Sequence, residues 1–266
     1  MTALRSFVFQ MVFFLVTTLY LLAFTPLLPF LSRAALWRTA VRYWVATNNT
    51  LLRLLCGTRV EIRGRENIPP GPLLIAAKHQ SAWETFALLP LFADPAFILK
   101  RELTRIPVFG WFLAKTGMIP VDRSAGMSAL KAMTRAARVE VGQGRQILIF
   151  PEGTRRPPGA PPDYKFGVAH LYGALDVPCL PIALNSGLFW PRRAITKRAG
   201  TIRVEILPPI PAGLGRADFM ARLEHDIEGA SDRLLEAGLR ELGARAPKEL
   251  AERLAGSPLS TPVENS

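Results

Sequence analysis

A histidine followed five positions later by a carboxylate is the first arrangement in this chain with the makings of acid–base chemistry. His79 and Glu84 stand in Ala76-Ala77-Lys78-His79-Gln80-Ser81-Ala82-Trp83-Glu84, directly after the apolar run Leu73 to Ala77. A histidine ring can take a proton from a hydroxyl, and a carboxylate on its far nitrogen can fix the ring and stabilise the imidazolium. The spacing constrains the geometry. Residues five apart on a regular helix point about 140° apart, so His79 must precede the helix and Glu84 must reach back from its first turns. The same stretch also fits a helix cap, Ser81-Ala82-Trp83-Glu84, in which Glu84 would only satisfy backbone donors. Both readings stand at this point.

Two further clusters carry cations. Gly117-Met118-Ile119-Pro120-Val121-Asp122-Arg123 reads as a strand ending in an Asp-Arg pair, which alone is an ordinary surface ion pair. Ile149-Phe150-Pro151-Glu152-Gly153-Thr154-Arg155 leaves another strand through a turn. Gly153 permits a tight bend there, and Arg155 offers a planar fork suited to phosphate. Lys100, at the end of Ala96–Leu99, adds a basic group. His170 reads as a core or boundary residue of a helix, and His225 as solvated helix surface. Two cysteines, Cys56 and Cys179, and three histidines are too few for a disulfide framework, a cysteine-based zinc site or a histidine-rich metal centre. Phosphate-loop, nucleophile-elbow and HExxH signatures are absent.

The elements that must position these groups alternate. Strands are expected at Val60–Arg63, Leu73–Ala77, Ala96–Leu99, Met118–Val121, Gln146–Phe150, Cys179–Leu184 and Thr201–Ile206. Helices are expected near Trp83–Leu91, Ser128–Val141, Gly167–Ala174 and Ala217–Leu242. That pattern predicts a single α/β domain with a mostly parallel or mixed sheet flanked by helices. Open sheets of this kind place their sites at the carboxyl ends of strands, where His79, Lys100, Arg123 and Arg155 all fall.

Ahead of it, no charge occurs between Ser6 and Ser32, a run long enough to cross a bilayer core, which takes about 20 residues. A cleaved signal peptide fits less well, because the apolar run is too long and no small-residue cleavage site follows. Pro26 and Pro29 should stop this helix near Thr25. Arg33 to Cys56 puts Leu36, Trp37, Ala40, Val41 and Trp44 on one face and Arg38 and Arg42 largely on the other, as in an interfacial helix. The resulting division is a membrane-anchoring helical segment over 1–56, an α/β domain over 57–215, a C-terminal surface helix over 216–245 and a mostly disordered tail over 246–266. Arg33, Arg38, Arg42 and Arg53 after the apolar run favour a cytoplasmic α/β domain.

The chain of 266 residues is 49% hydrophobic and 20% charged, which excludes a disordered protein. Its net charge of +12 suggests an anionic partner such as a membrane surface or a phosphorylated substrate. Nucleic acid fits poorly: the chain lacks an aromatic-basic platform, and such a role leaves the apolar N-terminus unexplained.

Taken together, the segments resemble the glycerolipid acyltransferases, and among them the 1-acylglycerol-3-phosphate (lysophosphatidic acid) acyltransferase family. That family carries a His-x4-Asp motif, a Gly-x-Ile-x-x-Asp-Arg block, a Phe-Pro-Glu-Gly-Thr-Arg block and a Val-Pro-x-x-Pro block. Here they correspond in order to His79–Glu84, Gly117–Arg123, Phe150–Arg155 and Val177–Pro181. The departure is Glu84, where the family usually has Asp.

The resemblance implies transfer of an acyl chain from acyl-CoA or acyl carrier protein to the free hydroxyl of 1-acylglycerol-3-phosphate, giving phosphatidic acid. By resemblance, His79 is the base and Glu84 orients it; Arg123 and Arg155 contact the acceptor phosphate. Glu152, Gly153 and Thr154 belong to the substrate-binding block, with Glu152 and Gly153 positioning the glycerol part, and Pro181 lies in the block linked to the acyl donor. Lys100 is a phosphate candidate from its position. No cofactor or metal is expected, the thioester being already activated. The expected partners are membrane phospholipids, the lysophospholipid acceptor and the acyl donor, at the cytoplasmic face of a bacterial inner membrane. The rival readings are an acyltransferase for another lysolipid, such as a lyso-ornithine lipid or lysophospholipid, and a non-catalytic protein that binds anionic lipid.

Overall fold

The computed structural model describes residues 2–255. Seven strands form one sheet: β1 (Thr58–Arg63), β2 (Leu74–Ala77), β3 (Pro95–Lys100), β4 (Ile119–Val121), β5 (Gln146–Ile149), β6 (Cys179–Leu184) and β7 (Gly200–Ile206), in the order β1-β7-β6-β2-β5-β3-β4. All neighbouring pairs are parallel except β6 and β7. The expected mixed sheet is therefore present, with all seven predicted strands in place. Because β6, β2, β5, β3 and β4 run the same way, their carboxyl ends open on one edge. That edge gathers Ser186, His79, Glu152, Lys100 and Arg123.

The helices are α1 (Thr2–Phe24), α2 (Arg33–Leu36), α3 (Arg42–Leu51), α4 (Glu84–Ala87), α5 (Phe109–Lys115), α6 (Gly126–Gly142), α7 (Gly167–Leu175), α8 (Ser186–Phe189), α9 (Arg216–Leu242) and α10 (Lys248–Ala255). Strand residues alternate between two apolar layers, as a pleat requires when both faces are covered. Leu73, Ile75 and Ala77 face Trp83, Phe86 and Phe189. Leu74 and Ala76 face Met133, Val168 and Phe219 on α6, α7 and α9.

Helix α1 ends at Phe24, one residue before the expected stop, and Thr25–Leu27 forms a 3-10 turn containing Pro26. From Arg33 the chain is helical to Cys56, with two wider π turns at Trp37–Val41 and Leu52–Cys56, and Gly57 in a left-handed conformation (φ 70°) ends it. Helix α1 folds back on this segment as a hairpin: Trp44 Nε1 donates to Thr17 Oγ1 at 3.0 Å, and Phe24 packs beside Leu36. It also grips the body, with Phe9 edge-on to Trp190 at 5.3 Å and Ser6 Oγ accepting the Lys197 N–H at 2.9 Å. The opposite side of α1 leaves Leu4, Phe7, Met11, Phe14, Leu15 and Leu22 exposed.

Two expectations are corrected, and the C-terminal segment is described only at its start. The apolar stripe of the second segment is turned inward and not out toward an interface: Leu36, Trp37 and Ala40 are buried, Leu36 and Ala40 in a cluster with Phe24 and with Phe112 of α5, and Val41 and Trp44 pack on the main core. Helix α9 is no mere surface helix. Phe219, Leu223 and Ile227 enter one apolar layer and Leu235 and Leu242 the other, while its charges occupy the outer face. The tail is structured at its start, where Pro247 leads into α10 and Leu250 packs on the core. The rest of that predicted tail, beyond residue 255, lies outside the described residues.

Candidate active site

Strand β2 delivers Lys78 and His79 to the open edge, and α4 begins five residues later with Glu84 in its first turn. His79 Nδ1 lies 3.0 Å from Glu84 Oε1. The same oxygen accepts the backbone N–H groups of Gln80 at 2.7 Å and Ser81, and Oε2 accepts the Ser186 hydroxyl at 2.7 Å. Glu84 is fully buried. Taking a carboxylate out of water costs several kcal/mol, and these donors offset it. The orienting and capping readings of Glu84 thus describe a single carboxylate performing both. With Nδ1–H directed at Glu84, Nε2 keeps its lone pair for an incoming hydroxyl. The His79 ring stacks on Phe150 at 3.9 Å and 5°, which fixes its plane.

The turn after β5 clamps the backbone of the same histidine. Glu152 Oε2 accepts the His79 N–H at 3.1 Å, and the Arg156 N–H donates to the His79 carbonyl at 2.7 Å. The turn is closed by the Gly153 N–H on the Phe150 carbonyl at 2.9 Å, with Gly153 at φ 65°. Glu152 is buried, and its other oxygen accepts Lys78 Nζ at 2.9 Å. Burial pushes the Glu152 carboxyl up, while Lys78 acts in the opposite sense. Lys78 also donates to both oxygens of Glu228 on α9, at 2.7 and 2.9 Å, and the Tyr164 hydroxyl donates to Glu228 Oε1 at 2.8 Å.

The cations surround this centre differently from expectation. Asp122 and Arg123 do not pair. Asp122 accepts from Arg101 at 3.1 Å, and hydrogen bonds led by the Ser124 hydroxyl hold its carboxyl low. Arg123 instead reaches the Gly153 carbonyl, tying the β4 exit to the β5 turn. Lys100 is exposed beside Glu102. Thr154 is exposed, and Arg155 is half-buried with no hydrogen bond or ion pair from its guanidinium among the described residues.

A cavity of about 980 Å³ joins these groups. His79, Lys100, Arg123, Glu152, Gly153, Thr154 and Arg155 all line it, with Arg192 and Lys165 adding positive charge. Its apolar walls come from Tyr20 and Leu21 of α1, Val41, Trp44, Phe86 and Phe112. Such a space suits a molecule with an anionic head and long apolar chains. Pro181 is not part of it. It sits buried inside β6, paired with Ala76, and its carbonyl accepts the Leu207 N–H at 3.0 Å. Its missing N–H faces the same side, just where β7 has ended at Ile206, which explains how a proline is tolerated there.

Sequence reasoning missed Lys78, Tyr164, Ser186 and Glu228. Lys78 borders the histidine and could have been marked as a cation entering the core. The other three are joined to the site only by the fold. His170 is half-buried in α7 and His225 exposed on α9, away from His79's contacts.

The sequence model of the Acyltransferase family matches residues 59–185. A 1-acyl-sn-glycerol-3-phosphate acyltransferase of Pseudomonas aeruginosa is 42% identical over 187 residues, which is 70% of this chain and 72% of that protein. The human 1-acyl-sn-glycerol-3-phosphate acyltransferase alpha is 31% identical over 212 residues, covering 74% of this chain and 75% of the relative. The crystal structure of the 1-acyl-sn-glycerophosphate (LPA) acyltransferase of Thermotoga maritima superposes with a TM-score of 0.72 at 23% identity, over 88% of this chain and 98% of that one. This likeness extends the shared fold beyond the segment matched by the family model.

Proposed function

Since this chain belongs to the 1-acyl-sn-glycerol-3-phosphate acyltransferases, we propose that it forms phosphatidic acid from lysophosphatidic acid and an acyl thioester, with His79 as the base. The observation that carries the reading is the Nδ1–Glu84 contact at 3.0 Å, inside a cavity whose rim is cationic and whose walls are apolar. Nε2 takes the proton of the acceptor hydroxyl as its oxygen attacks the thioester carbonyl carbon. Glu84 stabilises the imidazolium that results. The tetrahedral intermediate then collapses, the carbon–sulfur bond breaks, and the proton passes from Nε2 to the departing thiolate. Every step uses side chains and an activated thioester, and the reading needs no metal or organic cofactor.

Arg155 has an uncommitted guanidinium and is the first choice for the acceptor phosphate. Arg123 holds the β5 turn as well as facing the cavity, and Lys100 stands at its rim. Glu152 has both oxygens occupied by protein donors, so it shapes the site through His79 and Lys78. The N-terminal helix is long and apolar enough for a membrane, with a mean hydropathy of 2.2. Its packing on the body supports a hairpin dipping into one leaflet. Arg38, Arg42 and Arg53 support the cytoplasmic face.

The test is product identification by mass spectrometry with purified enzyme, offered acyl-CoA or acyl carrier protein with lysophosphatidic acid, other lysophospholipids or lyso-ornithine lipid. Phosphatidic acid as the dominant product supports the reading. A preference for a phosphate-free acceptor contradicts it.

A further inference from the structure

Helix α9 follows the segment that carries all four sequence blocks, yet it supplies a side chain to the centre. Glu228 grips Lys78 Nζ through both oxygens, at 2.7 and 2.9 Å, and Lys78 holds Glu152 at 2.9 Å. Glu152 in turn accepts the backbone N–H of His79 at 3.1 Å. We infer that Glu228 is a positioning residue for the acyl transfer, acting on His79 through Lys78 and Glu152. This rests on the reading of His79 as the base.

The charges explain why the third member is needed. Lys78 is 3% exposed and Glu152 is fully buried, so neither can turn to water for compensation. The Lys78 ammonium has three protons to place, and the protein gives it two carboxylates on opposite elements, Glu152 after β5 and Glu228 on α9. Tyr164 donates to Glu228 at 2.8 Å and holds it in turn. Burial pushes the Tyr164 hydroxyl up, so it stays a donor. With Glu228 neutralised, Lys78 loses the carboxylate that holds it through two oxygens; it keeps its hydrogen bond to Glu152, and Asp232, which also acts on it electrostatically, can draw the ammonium away from that position. The Glu152 carboxylate that fixes the His79 backbone then loses its anchor. The backbone that carries the ring would shift and take Nε2 with it, as far as the contacts of the ring with Glu84 and Phe150 yield. A displacement near 1 Å of a reacting group can cost as much as 10²-fold in rate.

The role separates from a merely structural one in steady-state kinetics on purified, folded enzyme. Glu228→Gln keeps the shape and removes the charge. The expected result is a fall in kcat of about tenfold per folded molecule, with KM for lysophosphatidic acid within about twofold. In a Glu152→Gln background the further loss from Glu228→Gln should be small, because the two act in series. An unchanged kcat per folded molecule, or full losses that multiply in the double variant, overturns the inference. Should Glu228→Gln fail to accumulate, Glu228→Asp keeps the charge, withdraws it by one methylene, and is judged by the same split between kcat and KM. His79→Ala in the same assay separates the two levels: if it retains turnover the base reading itself fails. If it is inactive while Glu228→Gln has wild-type kcat, only the positioning role fails.

Discussion

Glu84 Oε1 lies 3.0 Å from His79 Nδ1 while accepting the backbone N–H groups of Gln80 and Ser81. The atom that orients the ring also fixes the loop from which the ring projects. The cap of the loop and the contact that orients the histidine ring therefore come from one carboxylate. Glu84 makes both contacts from the first turn of α4.

Glu84→Gln tests that sharing. The amide keeps an acceptor for the loop but stabilises an imidazolium poorly, so turnover should drop at least about tenfold. The amide nitrogen would face either His79 or the Ser186 hydroxyl, so the melting temperature should also fall by a few degrees. Glu84→Asp should retain partial activity with a shorter reach. Near-normal turnover by Glu84→Gln would remove Glu84 from the catalytic pair and leave it a cap.

Arg155→Lys keeps the charge and loses the planar fork. Because the Arg155 guanidinium is uncommitted in the structure, the effect should fall on substrate. KM for lysophosphatidic acid should rise about tenfold, with a much smaller change for an acceptor without phosphate. Equal changes for both acceptors would refute the phosphate assignment.

The exposed side of α1 should hold the protein in the bilayer. Wild-type protein should stay with membranes through an alkaline carbonate wash. Charged residues at two of its exposed positions, in a Phe14→Lys, Leu15→Lys double variant, should release a measurable fraction while turnover in detergent persists. Complete release of the wild type by carbonate would contradict an embedded helix.

Glu152 supplies a pH signature. Burial, acting against Lys78, sets its folded carboxyl above its unfolded value of 4.5. Between those two values the folded state binds more protons than the unfolded one, so this group's contribution to stability is lost as pH rises through that window. Glu152→Gln cannot titrate. In unfolding measured in detergent across pH 4 to 7, wild-type stability minus variant stability should therefore decline as pH rises above 4.5. A difference that stays flat or grows would reverse the assignment.

The strands and the site edge were legible because each strand is a short apolar run bounded by turn residues, and each motif follows one directly. His79 and Glu84 were readable as a pair since five residues of chain limit how they can meet. Long-range partners were not readable: Glu228 lies 150 residues from Lys78, and Ser186 lies 102 from Glu84. The hold of Arg123 on the Gly153 carbonyl was not readable either, because adjacency in sequence offers only Asp122 as a neighbour and says little where side chains of a strand end diverge. The place of Pro181 inside the sheet, away from the lining of the cavity, was not readable from its motif. The four-residue helix α8 is too short to show a period, and the charged outer face of α9 concealed a stripe that joins both apolar layers.

The central claim is that His79 carries the proton in acyl transfer. The direct measurement is phosphatidic acid formation by purified His79→Ala beside wild type, from labelled acyl donor and lysophosphatidic acid, with melting curves recorded on the same samples. A loss of at least about 10²-fold with an unchanged melting temperature is the predicted result. Turnover within threefold of wild type would contradict it.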